Sequence, residues 1–205
     1  MTSDTARPPM SRARSAPPPA LDGRMERGRV TREKIIAALL DLIRAGNLSP
    51  TSEDVAQYAG VGHRTVFRHF QDMESLFEEM NAKIRSLAQS VLTQTLSNGT
   101  LAQRIEALVA ARAAPFEQIT LYYLSGEIRL HASPAIQRAR AQFAAQQRRQ
   151  LHVCLPEFEA RPDVAAAIEL LTSMDGWVRL RRTQGLSVNQ SRLAIISAVS
   201  RLLDA

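Results

Sequence analysis

Residues 51–70 read TSEDVAQYAGVGHRTVFRHF, and the fold turns on this stretch. Thr51 stands where a side-chain oxygen can cap a helix, and Glu53 and Asp54 place acids in its first turn. Val55, Ala56 and Ala59 supply an apolar side, and Gly60 suits a left-handed backbone position. A second helix follows from about Gly62 to Phe70, with Ala56 small where the two cross and Val61 able to plug the gap. Two short helices joined by a tight Ala-Gly-Val turn are a helix-turn-helix. The second contains His63, Arg64, Thr65, Arg68 and His69 and no acid. A helix entering the major groove needs such a donor-rich face, because phosphates and guanine edges both present acceptors. Val66 and Phe70 fall on the side that packs inward.

Outward from this segment the periodicity is helical throughout. Ile35, Ile36, Leu39, Leu40, Leu42 and Ile43 predict a helix over about 31–45, stopped by Gly46. A fourth helix from Asp72 to about Leu96 carries a stripe at Leu76, Met80, Ile84, Leu87 and Val91. After the Asn98-Gly99 turn, Thr100 and Gln103 have capping-box spacing and open a fifth. Breaks are expected at Ser133-Pro134 and between Pro156 and Pro162. The last two helices are expected over about 162–184 and 187–203, with Gly185 between them and a second capping box at Ser187 and Gln190. No alternating strand pattern occurs. The fold class is therefore all-α with about nine helices. Three parts are expected: a disordered Arg/Pro-rich arm over 1–29, a helix-turn-helix domain over 30–75, and a helical domain over 76–205.

Composition removes several alternatives. The chain has 205 residues, 45% of them hydrophobic, and one cysteine, Cys154. A single cysteine excludes an internal disulfide and any zinc site built on several thiolates. No run approaches the ~18–20 apolar residues of a membrane span. Residues 1–20 hold no apolar segment of secretory type, so a cytoplasmic protein is expected. The net charge of +6 is a poor locator of function. Residues 1–29 carry six Arg and three acids, residues 30–80 five bases and eight acids, and residues 81–205 fifteen bases and nine acids. The only net-negative part contains the helix-turn-helix, whose second helix has no acid at all.

The order and spacing of these residues resemble the TetR family of transcriptional regulators over about 28–80. The resemblance rests on Thr31-Arg32-Glu33-Lys34-Ile35, on Thr51 with Val55-Ala56, on Ala59-Gly60-Val61, on Thr65-Val66-Phe67-Arg68-His69-Phe70, and on Glu74-Ser75-Leu76. Two positions depart from the family pattern. Gly62 stands where Ser is usual, and Met73 where Lys is usual, and each loses an expected phosphate contact. The resemblance implies DNA binding through Arg32, Thr51, Gly62, His63, Arg64, Thr65, Phe67, Arg68 and His69. Thr65, Phe67 and His69 would meet the backbone, His63 and Arg64 would lie nearest the base edges, and Arg68 would reach either. Arg24, Arg27 and Arg29 join Arg32 as candidate phosphate contacts, and the arm as a candidate minor-groove element.

The family also implies that the later helices bind a small molecule and pair two subunits. Stripes at Val164, Ile168, Leu171, Met174 and Val178, and at Leu193, Ile196, Val199 and Leu203, suit a homodimer through the last two helices. Candidate pocket residues are Phe116, Tyr122, Tyr123, Phe143, Met174 and Trp177, with Glu127, Arg129 and His131 as polar anchors. The expected partners are a double-stranded DNA operator and a small-molecule effector. No cofactor, metal or membrane is expected. An enzyme finds little support: Cys154 has no evident base, no His pair has metal spacing, and Glu53-Asp54 and Glu78-Glu79 read as solvated helix faces. An all-helical interaction protein whose helix-turn-helix does not bind DNA is the competing reading.

Overall fold

The computed structural model describes residues 21–92, 98–159 and 161–204. Among them are nine α-helices and no strand. They are α1 (Leu21–Arg44), α2 (Ser52–Ala59), α3 (His63–His69), α4 (Met73–Leu92), α5 (Leu101–Arg129), α6 (Pro134–Cys154), α7 (Pro162–Thr172), α8 (Met174–Val178) and α9 (Val188–Asp204). A 3₁₀ turn spans Pro156–Phe158, and a wide π turn spans Arg179–Thr183.

Local chemistry sets the boundaries around the helix-turn-helix. Thr51 Oγ1 accepts from Asp54 N at 3.1 Å, and Asp54 Oδ2 accepts from Thr51 N at 2.8 Å, a reciprocal capping box. Gly60 ends α2 in the left-handed conformation at φ 63°, which lets Val61 N donate back to Ala56 O at 3.0 Å. The same chemistry opens α5 at Thr100 and Gln103, and caps α9 through Ser187 and Gln190. Helix α1 packs on α2, α3, α4 and α5, while α4 also packs on α5 and α6. Ile35, Leu39, Val66, Phe70, Phe77, Ile105, Phe116 and Trp177 all belong to one apolar core.

Two expectations need correction. Helix α1 starts at Leu21 and not near Thr31, so residues 21–29 of the expected disordered arm are helical. Their support is local: Arg29 pairs with Glu26 and Glu33, each at 2.5 Å, at helical i,i+3 and i,i+4 spacing. The other residues of the arm, 1–20, lie outside the described residues, as do the expected end of α4 at Leu96 and the side chains of Leu87 and Val91.

The helix expected over 162–184 breaks at Ser173, whose backbone is extended and whose Oγ caps Gly176 N at 3.0 Å. The break is tight because the Gly176 backbone lies against the preceding turn. A Cβ on Gly176 would sit 2.5 Å from the Leu170 carbonyl oxygen. On α9 the inward stripe is Ser191, Ile195 and Val199, while Leu193, expected in the stripe that pairs subunits, is 57% exposed.

Both glycines can be tested by urea unfolding followed by far-UV circular dichroism. Gly60→Ala forces a Cβ into the left-handed region in open space and should cost about 1 kcal/mol. Gly176→Ala drives a Cβ into a backbone oxygen and should cost more, about 2 kcal/mol. Equal midpoints for Gly176→Ala and the wild type would show that the α7–α8 break is not held this way.

Candidate nucleic-acid interface

Helix α3 lies across α2 with Val66 buried beneath it. Its N-terminal residue His63 is tied back, with Nε2 2.9 Å from Ser52 Oγ on α2 and its ring edge-on to Phe67 at 5.0 Å. Arg64, Phe67 and Arg68, at i, i+3 and i+4, form one exposed stripe, and Phe67 is 42% exposed despite its apolar ring. Neither Arg64 nor Arg68 has a hydrogen bond or ion pair among the described residues. Thr65 is half-buried beside them, and no carboxylate lies on α3. The stripe is therefore a cationic, partly aromatic face with its donors uncommitted.

His69 is half-buried at the end of α3. Burial first, then the charges of Arg68 and Arg32, hold its imidazole below the ordinary value of 6.5. Because the folded state disfavours the proton, the stability this group contributes is full above about 6.5 and is lost on acidification through the lower, folded value.

Residues 35–80 match the family described as bacterial regulatory proteins, tetR family. The chain carries the DNA-binding domain of TetR-family transcriptional regulators. Solved structures extend the likeness of fold along the chain. A transcriptional regulator from Rhodococcus sp. Rha1 superposes with a TM-score of 0.66 at 20% identity, over 84% of this chain and 96% of that one. A candidate transcriptional regulator from Streptomyces coelicolor A3(2) gives 0.61 at 20% identity, over 85% and 99%. A candidate TetR-family regulator from Mesorhizobium loti MAFF303099 gives 0.58 at 21% identity, over 87% and 97%. No curated protein matches the chain.

Within the TetR-family domain the expected contact residues divide into two groups. Arg64, Phe67 and Arg68 are open, whereas Arg32 is committed internally. Its guanidinium pairs with Glu79 on α4 at 2.6 Å, donates to the His69 carbonyl, and stacks on Phe70 at 4.2 Å. Arg32 thus braces α1 against α3 and α4. Thr51 is occupied as a cap. Gly62 opens α3 without a side-chain cap, and a Cβ there would meet nothing closer than Thr65 Oγ1 at 3.8 Å, so a serine fits without strain. Arg27 donates to the Gly23 carbonyl and Arg29 is ion-paired, whereas Arg24 is exposed.

The expected pocket residues are brought together in part: Tyr123, Glu127, Phe143 and Met174 line one pocket beside α6, with Arg140. Tyr122, Tyr123 and Phe143 line a cavity between α4, α5 and α6. Phe116 and Trp177 instead pack edge to face in the core, with Trp177 Nε1 donating to Glu117 at 2.7 Å, and Met174 is buried with them. Arg129 turns away from the cavity. It lies 3.7 Å over the Phe77 ring of α4 and donates to Ser49 Oγ in the α1–α2 loop at 3.3 Å. His131 is exposed, and Glu127 pairs with Arg140 at 2.8 Å.

Arg140 is the cation that sequence reasoning missed. It shares one face of α6 with Ile136 and Phe143, and that i, i+4, i+7 pattern was the available signal. Among the described residues no three His, Cys, Asp or Glu side chains cluster to hold a metal, and no helix is long and apolar enough to cross a membrane.

Unfolding and duplex binding should separate the two kinds of arginine. Arg32→Ala loses a stacked, paired and half-exposed guanidinium and should lower stability by about 1 kcal/mol. Arg64→Ala should leave it within about 0.5 kcal/mol. A stability loss in Arg64→Ala equal to that in Arg32→Ala would mean that the stripe on α3 is structural.

Proposed function

We propose that the chain is a cytoplasmic, homodimeric repressor of the TetR type that binds a palindromic operator and is released by a small-molecule effector. Residues 30–75 read DNA in this account, and residues 76–205 sense the effector and pair the subunits. The observation that carries the reading is the exposed Arg64–Phe67–Arg68 stripe, acid-free and without internal partners. An arginine on such a face presents two parallel donors to the O6 and N7 of guanine, and a second one turn along reaches the phosphates. Pairing two readers about a two-fold axis matches a palindrome whose half-sites lie a whole number of helical turns apart.

Support for pairing comes from the last helices. Leu170 on α7 is 63% exposed and Leu193 on α9 is also open, while Ile196, Leu202 and Leu203 are only half-covered. Large apolar side chains left open on neighbouring helices suit a self-complementary contact. Release by an effector requires a ligand that binds the non-operator state more tightly, since equal affinity for both states would shift nothing.

An electrophoretic mobility shift with the duplex upstream of the chain's own gene tests the assignment. Arg64→Ala should weaken operator binding by about 1–3 kcal/mol while retaining residual binding to any sequence. Operator affinity unchanged in Arg64→Ala would overturn the role given to that residue. Indifference of the wild-type chain to every duplex at low salt would favour an interaction protein instead.

A further inference from the structure

The cavity between α4, α5 and α6 is half open to solvent, holds about 60 Å³, and is uneven in character. Ile84, Ile119, Ile136 and Phe143 make its walls apolar, yet two arginines, Arg85 and Arg140, line it and no carboxylate does. Arg140 is the more buried. Its guanidinium carbon lies 3.0 Å from the centre of the Tyr123 ring, and Nη2 donates to the Tyr123 carbonyl at 2.5 Å and pairs with Glu127. Burial pushes this guanidinium down to about 10. Gly126 lies beside the guanidinium, where a Cβ would come within 3.4 Å of Nη2.

Two polar atoms of the lining residues are left over. Arg140 Nη1 and Tyr122 OH are both buried and have no hydrogen-bond partner among the described residues. Buried donors are almost always satisfied, so a pair of orphans beside one cavity calls for an incoming acceptor. Arg140 Nη2 is met by Glu127, and the acceptor that suits the remaining Nη1 and the phenol together, in a lining that holds two cations and no carboxylate, is an incoming carboxylate. The apolar walls call for a hydrocarbon body. Ligand sites of this kind commonly occupy ~300–1,000 Å³, so only a small acid enters without parting the helices.

We infer that this cavity is a binding site for a small monocarboxylic acid with a compact apolar body, its carboxylate held by Arg140 Nη1 and Tyr122 OH. That the acid acts as effector rests on the repressor reading above; its binding does not. Helix α4 forms one wall through Ile84 and Arg85, and Arg85 is pinned to Gln142 of α6 at 3.2 Å. An acid that widens the cavity therefore displaces α4 from α6. The first turns of α4 hold Glu79, the partner of Arg32, so the displacement reaches the base of α3.

Isothermal titration of the full chain with benzoate, phenylacetate and hexanoate, each beside its primary amide, tests the site. At least one acid should bind about tenfold or more tightly than its amide. Tyr122→Phe deletes a hydroxyl that has no partner, so it should keep the unfolding midpoint and weaken that acid about tenfold. Arg140→Met should abolish the preference for acid over amide, and Tyr122→Phe carries the test if that variant does not fold. No preference for any acid, or an acid affinity indifferent to Tyr122→Phe, would overturn the assignment. Mobility shifts on the same samples separate the two readings. Acid binding that leaves the operator complex intact supports the site and contradicts release by effector. Operator binding with no acid binding contradicts the site alone.

Discussion

Helix α4 is held on two sides at once, and the relation of the helix-turn-helix to the later helices depends on that constraint. Leu76, Phe77 and Met80 are fully buried in a core that also contains Ile35 and Leu39 of α1, Phe70 beyond α3, and Ile105 and Leu108 of α5. Polar ties follow the same path. Arg129 of α5 stacks on Phe77 and reaches Ser49, Ser125 Oγ donates to the Leu48 carbonyl at 2.7 Å, and Ser133 bonds Glu74 in the first turn of α4. Close-packed interiors transmit displacement and do not absorb it, so a shift of α4 is felt beneath α3.

The arginines show how one residue type is divided among tasks. Arg112 is fully buried, yet each of its nitrogens donates, to Gln150, to Thr172 and to the Gln147 carbonyl. It ties α5 to α6 and to the end of α7, next to the Ser173 break. Arg181 makes a two-point pair with Glu117, which also accepts from Trp177, and that closes α5 against the wide turn. Burying such charges is costly unless every donor is met. Every nitrogen of Arg112 has a partner and Nη1 of Arg140 has none, which sets Arg140 apart from the structural arginines.

Much of the fold was legible because its signals are local. The Thr51–Asp54 box, the left-handed Gly60, the Thr100–Gln103 and Ser187–Gln190 caps and the α1 stripe each lie within a few residues of one another. What stayed hidden depends on partners far along the chain. Arg32 looked like a phosphate contact because nothing near it announces Glu79 or Phe70. Arg129 looked like a pocket anchor because its real neighbours, Phe77 and Ser49, come from other elements. The α7–α8 break is governed by a backbone approach at Gly176 that periodicity does not encode. Of the candidate site, the open stripe on α3 followed from the pattern of donors and missing acids, whereas the cation beside the cavity emerged only once α4, α5 and α6 were placed together.

In the proposed function an uncommitted cationic face on α3 meets the DNA backbone and bases. The most direct measurement is the dependence of duplex affinity on salt, followed by fluorescence anisotropy. Each phosphate neutralised by an arginine releases counterions, so log affinity should fall linearly with log salt, with a slope of about −0.9 per phosphate contact. A face of this kind in two copies predicts a slope of several. An affinity that stays level between low and physiological salt would contradict the account.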